Sequence, residues 1–301
     1  YFQIRQTFIA GLSNHTNLTE ILSVMISDNC SEIFFLENNQ NLLKGCLGKE
    51  SLLILIVNDD NADDMTSLLG KGLDNGCQVF LLLGNQALKN NFSHFSVPFW
   101  ELDDHTLSRT MIGYTTFILY GILFKAGVVP DITIEINKLI GNLEITTRYN
   151  DVSVPSALNP AKRLAGQMVG RWLKIVAGGV MLPIANRWSN QINQSAKALC
   201  YAEDIFHLIH HSLSGIYNPE GVAWQSMVIF LKSGLNNPKM EMMVDQAKNE
   251  LMCSGLGTDV YSARGEDQLS QLWTSILFGD FLASYLAIAY DTDPTPVAFL
   301  R

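Results

Sequence analysis

Two uninterrupted apolar runs, LLILIV at residues 52–57 and VFLLL at residues 79–83, constrain the fold of this chain more than any other feature. A strand with one solvent-exposed face alternates apolar and polar residues, whereas a strand buried on both faces can be apolar throughout. Residues 63–75 between the runs predict a helix that ends at Asn75-Gly76. Because residues 33–36 predict an earlier strand, this half of the chain predicts a parallel sheet covered by helices.

The second half of the chain repeats this plan. Strands are predicted at 173–177, 227–231 and 258–262, and helices at 186–202, 237–253 and 268–290. The first half has two further predicted helices, at 113–126 and 132–147. Residues 150–160 contain Pro155, Asn159 and Pro160, a composition typical of a linker. The sequence therefore predicts an α/β protein of two domains, residues 1–150 and 151–301, each a doubly wound parallel sheet flanked by helices.

Charge and composition exclude several classes of partner. Hydrophobic residues make up 48% of the 301 residues, which is enough for two cores. The net charge of −9 argues against a nucleic acid and against an anionic membrane surface. A small phosphorylated ligand stays compatible, because a few backbone N–H groups and local cations can bind it.

The segments 113–129 and 268–290 are apolar, but they contain Lys125 and Asp280 and are interpreted as core helices rather than membrane spans.

The five cysteines are scattered and form no C-x-x-C pair, which is typical of reduced thiols. We see no secretory signal peptide and therefore expect a cytoplasmic protein. No motif indicates a cofactor.

Several motifs of the second half resemble those of one family. Gly178-Gly179 follow a predicted strand, and P-I-A-N-R-W stands at 183–188 and Q-I-N-Q at 191–194. G-D-F-L-A-S-Y-L-A at 279–287 precedes D-P-T-P-V at 293–297. The bifunctional phosphoglucose/phosphomannose isomerases, which are double sugar-isomerase (SIS) domain proteins, carry P-A-R-W, Q-[IL]-N-E, G-D-F-x-S-x-Y-L-A and D-P-T-P-V. Their first-domain motif P-R-A-A-x-G-Y resembles S-R-T-M-I-G-Y at 108–114.

The resemblance implies two SIS-like domains and aldose–ketose isomerisation of glucose 6-phosphate and mannose 6-phosphate. It implies that His210 assists ring opening and that Thr295 contacts the sugar. In the family, the histidine comes from a neighbouring subunit, which implies a homodimer here. The candidate substrate-binding residues are Arg109, Asn61, Gly178, Gly179 and Arg187, although a surface ion pair is an equal interpretation for Arg187.

Two departures affect the chemistry that the resemblance implies. The family's catalytic base is the glutamate of Q-[IL]-N-E, and Gln194 stands in its place here. An amide cannot accept a proton at neutral pH. The family's phosphate loop, S-x-S-G-N-T-E-E-T, corresponds to N-D-D-N-A-D-D at 58–64, where Asn61 matches the family asparagine. Both serines are lost, and Asp59 and Asp60 would repel a phosphate dianion.

Several alternatives stay open from the sequence. His210 and its neighbours His207 and His211 could be ordinary polar residues, and no third residue completes a metal site with them. Glu203 or Asp204 could replace the missing base. Two functions follow: a phosphosugar isomerase, or a catalytically impaired relative that binds a sugar or sugar phosphate as a regulatory or structural protein.

Overall fold

Parallel strands build both sheets of this α/β protein, so the predicted fold class is confirmed. The computed structural model describes residues 4–11, 16–26, 32–36, 46–102 and 111–296. The chain divides into two compact units, Tyr1–Asp131 and Ile132–Arg301. Each unit has its own sheet and its own flanking helices.

The N-terminal unit has a five-stranded parallel sheet with the order β2-β1-β3-β4-β5. Its strands are β1 (Gln6–Ala10), β2 (Glu32–Leu36), β3 (Ser51–Val57), β4 (Gln78–Leu83) and β5 (Phe99–Glu101). Its helices are α1 (Thr16–Ile26), α2 (Ala62–Asp74), α3 (Gln86–Phe92) and α4 (Ile112–Lys125). Every residue of β3 is buried, as its apolar run predicts for a central strand.

The C-terminal unit has a four-stranded parallel sheet with the order β7-β6-β8-β9. Its strands are β6 (Trp172–Ala177), β7 (Cys200–Asp204), β8 (Ser226–Lys232) and β9 (Gly257–Ser262). Its helices are α5 (Thr133–Asn150), α6 (Pro160–Met168), α7 (Leu182–Gln191), α8 (Ile205–His210), α9 (Glu220–Trp224), α10 (Pro238–Cys253) and α11 (Gln268–Ala289).

Strands β1, β5 and β7 are absent from the sequence prediction. The predicted helix at 186–202 is wrong in its last third, because α7 ends at Gln191, a π-helical turn follows at Ile192–Ala196, and β7 begins at Cys200. β7 is an edge strand that exposes Tyr201 and ends on two acidic residues. A strand of this kind lacks the apolar run that marks a central strand.

The two units divide between Asp131 and Ile132, rather than at residue 150 as the linker composition predicts. Helix α5 belongs to the C-terminal unit because it packs on α11. Asn142 Nδ2 donates to Ser270 Oγ at 3.0 Å, and Tyr285 OH donates to the Asn150 carbonyl at 2.6 Å. The proline-rich stretch after α5 leads into α6, whose N-cap is Asn159.

Helix α11 is, within the described ranges, the one helix that is long and apolar enough to cross a membrane by length and composition. Most of its apolar window is buried within the protein, as in a core helix. Helix α7 packs against it: Trp188 Nε1 donates to the Ser275 carbonyl at 2.9 Å, and the Trp188 ring stacks on Phe278. Gly279 lets this indole approach the α11 backbone, because a Cβ there would lie 2.3 Å from Trp188 Nε1.

We expect Gly279→Ala to destabilise the C-terminal unit by about 1 to 3 kcal/mol, because the buried, hydrogen-bonded Trp188 ring has no room to shift. Gly141→Ala on α5 is the matched control, since a Cβ there meets nothing within 4 Å. That control should stabilise the unit slightly through helix propensity. Urea unfolding of both variants measures the difference, and equal stabilities would contradict the close packing of α7 on α11.

Candidate functional site

The Q-I-N-Q motif at 191–194 lies where α7 passes into the π-helical turn Ile192–Ala196. Gln191 Nε2 donates to Asp280 Oδ1 at 2.7 Å, Ile192 is fully buried, and Asn193 Nδ2 donates to the Cys200 carbonyl at 2.6 Å. Three of the four motif residues therefore fix the turn in place. Gln194 is half-buried, and no hydrogen bond from its side chain is found within the described part of the chain. A π-helical turn is a frequent feature of functional sites.

Lys197 joins this turn to the D-P-T-P segment. Its Nζ donates to the Gln194 carbonyl at 2.5 Å and to the Pro296 carbonyl at 2.7 Å. Lys197 itself adopts a left-handed conformation with φ of +52°. In the same segment, the Thr295 backbone N–H donates to Asp293 Oδ1 at 2.8 Å. The structure thus brings together the segments of two predicted site residues, Gln194 and Thr295, through a lysine that the sequence analysis did not select.

The glycine pair lies at the opposite end of the same helical segment. Gly178 ends the extended chain after β6, and Gly179, with φ of +55°, opens a 3₁₀ turn that leads into α7. A Cβ on Gly178 would lie 2.7 Å from Ile205 Cγ2, so a glycine is needed there. Fifteen residues separate Gly179 from Gln194, which at about 1.5 Å per residue is a helical length of roughly 20 Å. The glycine pair and Gln194 therefore lie at opposite ends of this segment, and a substrate contact by the glycines stays a prediction.

Arg187, a predicted substrate contact, is buried between α7 and α11, and its Nη2 lies 3.1 Å from Asp280 Oδ1. The same carboxylate accepts from Gln191. Of the two interpretations of Arg187, the structure provides the ion pair, and this pair links the family's P-A-R-W and G-D-F motifs. A substrate contact by Arg187 stays a prediction.

Asn61 closes the loop between β3 and α2. Its Oδ1 accepts from the Asn58 backbone N–H at 2.8 Å, and its Nδ2 donates to the Ile56 carbonyl at 3.1 Å. Asn85 Nδ2 donates to the Asp59 carboxylate. Asp63 and Asp64 lie in the first turn of α2, where acidic residues stabilise a helix N-terminus. The side-chain amide of Asn61 thus stabilises the loop through both its oxygen and its nitrogen. A substrate that contacted Asn61, as predicted, would have to bind an amide that already makes these hydrogen bonds.

His210 ends α8 and is exposed, while its neighbour His207 makes the structured contacts. His207 Nδ1 lies 2.6 Å from Glu203 Oε1, and Lys174 Nζ lies 2.7 Å from Glu203 Oε2. Ser212 Oγ also donates to Glu203. We call these four residues, Lys174, Glu203, His207 and Ser212, the Glu203 network.

Both acidic candidates for a replacement base are already engaged in hydrogen bonds. Burial opposes ionisation of Glu203, but hydrogen bonds from Lys174, Ser212 and His207 outweigh it and lower the pKa of this carboxyl below 4.5. A carboxylate with a lowered pKa is a weak base. Asp204 is the N-cap of α8, and its Oδ1 accepts from the backbone N–H groups of Phe206 and His207.

Arg109, a predicted substrate contact, lies outside the described residues. Within the described ranges, no group of three or more histidine, cysteine, aspartate or glutamate side chains is placed to hold a metal ion. Burial raises the pKa of the Cys200 thiol to about 12, so this cysteine is an unreactive core residue.

Comparisons with known proteins agree with the motifs. Residues 157–301 match the family described as "Bacterial phospho-glucose isomerase C-terminal SIS domain". A bifunctional phosphoglucose/phosphomannose isomerase of Caldicellulosiruptor bescii is 25% identical over 304 residues, which cover 98% of this chain and 87% of that protein. A protein of the same name from Aquifex aeolicus is 21% identical, over 83% of this chain and 73% of its own length.

A solved structure supports the same fold. The glucose-6-phosphate isomerase-like protein of Thermus thermophilus superimposes with a TM-score of 0.60 at 19% identity, over 86% of this chain and 82% of its own. Fold and motifs together define a phosphosugar isomerase-like protein of the SIS class. Within that class, residues 157–301 match the bacterial phosphoglucose isomerase SIS-domain family, so the resemblance seen in the sequence is confirmed.

The pKa of Glu203 leads to a pH-dependent prediction. A carboxyl whose folded pKa is lowered contributes stability above its unfolded pKa, and this contribution is lost as pH falls through the folded value. We expect Glu203→Gln to lower the free energy of unfolding by about 1 to 3 kcal/mol at neutral pH, because the charged hydrogen bonds of the network are weakened. Below pH 4.5 the difference from the unmodified protein should shrink.

Urea unfolding near pH 7 and near pH 4 measures this effect. Glu250→Gln is the control, since Glu250 is exposed on α10. A destabilisation by Glu203→Gln of the same size at both pH values would contradict the lowered pKa.

Proposed function

We propose that this protein binds a hexose phosphate and interconverts its aldose and ketose forms, in the manner of a glucose-6-phosphate/mannose-6-phosphate isomerase. The observation that carries the proposal is the Lys197 bridge, which holds the turn of Gln194 against the segment of Thr295. These are the two segments where the family motifs Q-[IL]-N-E and D-P-T-P-V place sugar contacts. Their convergence in one unit supports a ligand site there.

The proposed roles follow from the side-chain chemistry. Lys197 has three N–H donors and uses two of them on carbonyls, so a third can bind an oxygen of the substrate. The hydroxyl of Thr295 can donate to or accept from a sugar hydroxyl. His210 is exposed at the end of α8, where it can serve the site of a second copy in a homodimer and assist ring opening.

The second candidate function is binding of a sugar phosphate without efficient turnover. It is favoured by Gln194, whose amide can hydrogen-bond to the substrate hydroxyls but cannot remove the proton on carbon. The acidic loop after β3 favours it too, because Asp59 and Asp60 disfavour a phosphate dianion nearby. Under this alternative the protein would be a binding or regulatory relative of the isomerases.

We expect Gln194→Glu to increase turnover of fructose 6-phosphate by about 100-fold, because it restores a carboxylate base at the π-helical turn. A coupled assay that detects glucose 6-phosphate measures the rate. Gln246→Glu, an exposed change on α10, is the control for added charge. Fast turnover by the unmodified protein that Gln194→Glu leaves unchanged would show that another group is the base.

The role of His210 is tested with its neighbour. We expect His210→Ala to reduce the turnover of the protein by about 100-fold, and His211→Ala to leave it nearly unchanged, because only His210 matches the family histidine. Calorimetric titration with fructose 6-phosphate should show binding in both variants. Binding without turnover in the unmodified protein would favour the second candidate, and the absence of both would reject the two functions together.

A further inference from the structure

A cavity of about 740 Å³ lies on one face of the C-terminal sheet, between strands β6, β7 and β8 and the segment from α8 to α9. Its walls are mainly apolar, with Leu208 from α8, Val228 from β8 and Leu251 from α10. The exposed rings of Trp172 and Tyr201 line it with their centroids 6.1 Å apart, in an edge-to-face arrangement. This size and lining are typical of small-molecule sites.

The cavity is separate from the proposed sugar-phosphate site. It reaches Trp172 and Ser226, the first residues of β6 and β8, and so extends toward the amino ends of the strands. Of the described candidate site residues, those that do not line it are Asn61, Gly178, Gly179, Arg187, Gln194, His210 and Thr295, whereas Glu203 and Asp204, the candidates for a replacement base, do line it.

All four residues of the Glu203 network line this cavity and form its polar patch. The Glu203 side chain is 10% exposed, and its carboxylate already accepts from Lys174, His207 and Ser212. Little acceptor capacity is therefore left for a ligand. Lys174 uses one ammonium N–H on Glu203, so its remaining N–H groups are the donors that the patch offers.

The charges of the lining select against an ionic ligand. Besides Tyr201, its titratable groups are Lys174, Glu203, Asp204 and His207, which sum to one negative charge when the histidine is neutral. An anion would be repelled, and the ammonium group of Lys174 opposes a cation at the Glu203 carboxylate. An uncharged oxygen, by contrast, can accept from Lys174 while the apolar walls bury the rest of the molecule.

From this complementarity, we infer that the cavity is a second ligand site, specific for an uncharged amphipathic molecule with a ring-sized apolar body and one carbonyl oxygen. The carbonyl accepts from Lys174 Nζ, and the apolar body contacts Leu208, Val228 and Leu251. The site does not depend on the proposed isomerase function, because Gln194, Lys197, His210 and Thr295, the residues given roles in that reaction, do not line it.

Three naphthalene probes test the inference by calorimetric titration of the whole protein: acetylnaphthalene, ethylnaphthalene and naphthalene carboxylate. We expect acetylnaphthalene to bind once per chain and about 10-fold more tightly than the other two, because only it combines an uncharged body with an acceptor. Tighter binding of the carboxylate, or no binding of acetylnaphthalene, would overturn the proposed ligand class.

Matched variants locate the binding. Ala223 lines the cavity, so Ala223→Phe places a ring in it. Gly221 on the same helix does not line the cavity, and a Cβ there would have no neighbour within 4 Å, so Gly221→Phe is the control. We expect the first to weaken acetylnaphthalene binding at least about 10-fold and the second to leave it unchanged. Equal affinities in the two variants would place the probe elsewhere and reject the site.

Removal of the donor provides a test that does not depend on filling the cavity. Lys174→Met should weaken acetylnaphthalene about 10-fold and leave ethylnaphthalene unchanged, while Lys239→Met, an exposed change on α10, should affect neither. Unchanged acetylnaphthalene affinity in Lys174→Met would contradict the hydrogen bond. Circular dichroism of each variant confirms that it is folded before binding is compared.

Discussion

The contact between helices α7 and α11 is the interaction on which the C-terminal unit depends. Trp188 is buried against Phe278 and donates to the α11 backbone, which it can approach because residue 279 is a glycine. Arg187 and Gln191 both bind the Asp280 carboxylate. Removal of Asp280 would be costly, because it would leave the buried Arg187 guanidinium without its charge partner. The position of α7 in turn sets where the π-helical turn and Gln194 lie.

This contact explains how the chain can keep most residues of the family's motifs while the residue at the base position differs. The motif residues Trp188, Gln191, Gly279 and Asp280 are packing or hydrogen-bonding partners within the unit. Gln194 carries no such structural bond in the described part of the chain, so replacing a glutamate there costs little stability. Packing constraints and catalytic constraints thus act on different residues of the same short motifs.

The elements that the sequence predicts best are those that are buried on all sides. The all-apolar run of β3 and the long core helix α11 follow directly from the pattern, because each is covered on all sides. Strand β7 was not predicted, because a strand at the edge of the sheet can contain polar and exposed residues and then lacks an apolar run. The candidate site was predicted only in part. Gln194 and Thr295 converge, whereas the glycine pair lies at the far end of the helix.

The sequence by itself determined the α/β class and the family of the C-terminal half, because apolar periodicity and motif identity are local properties of the chain. The tertiary structure alone decided which residues meet. Lys197 donates to two carbonyls that are about a hundred positions apart in the sequence. The Glu203 carboxylate accepts hydrogen bonds from side chains of β6, of α8 and of the turn after α8. Such long-range pairs have no periodic signal, because the fold rather than the spacing brings their partners within hydrogen-bond distance.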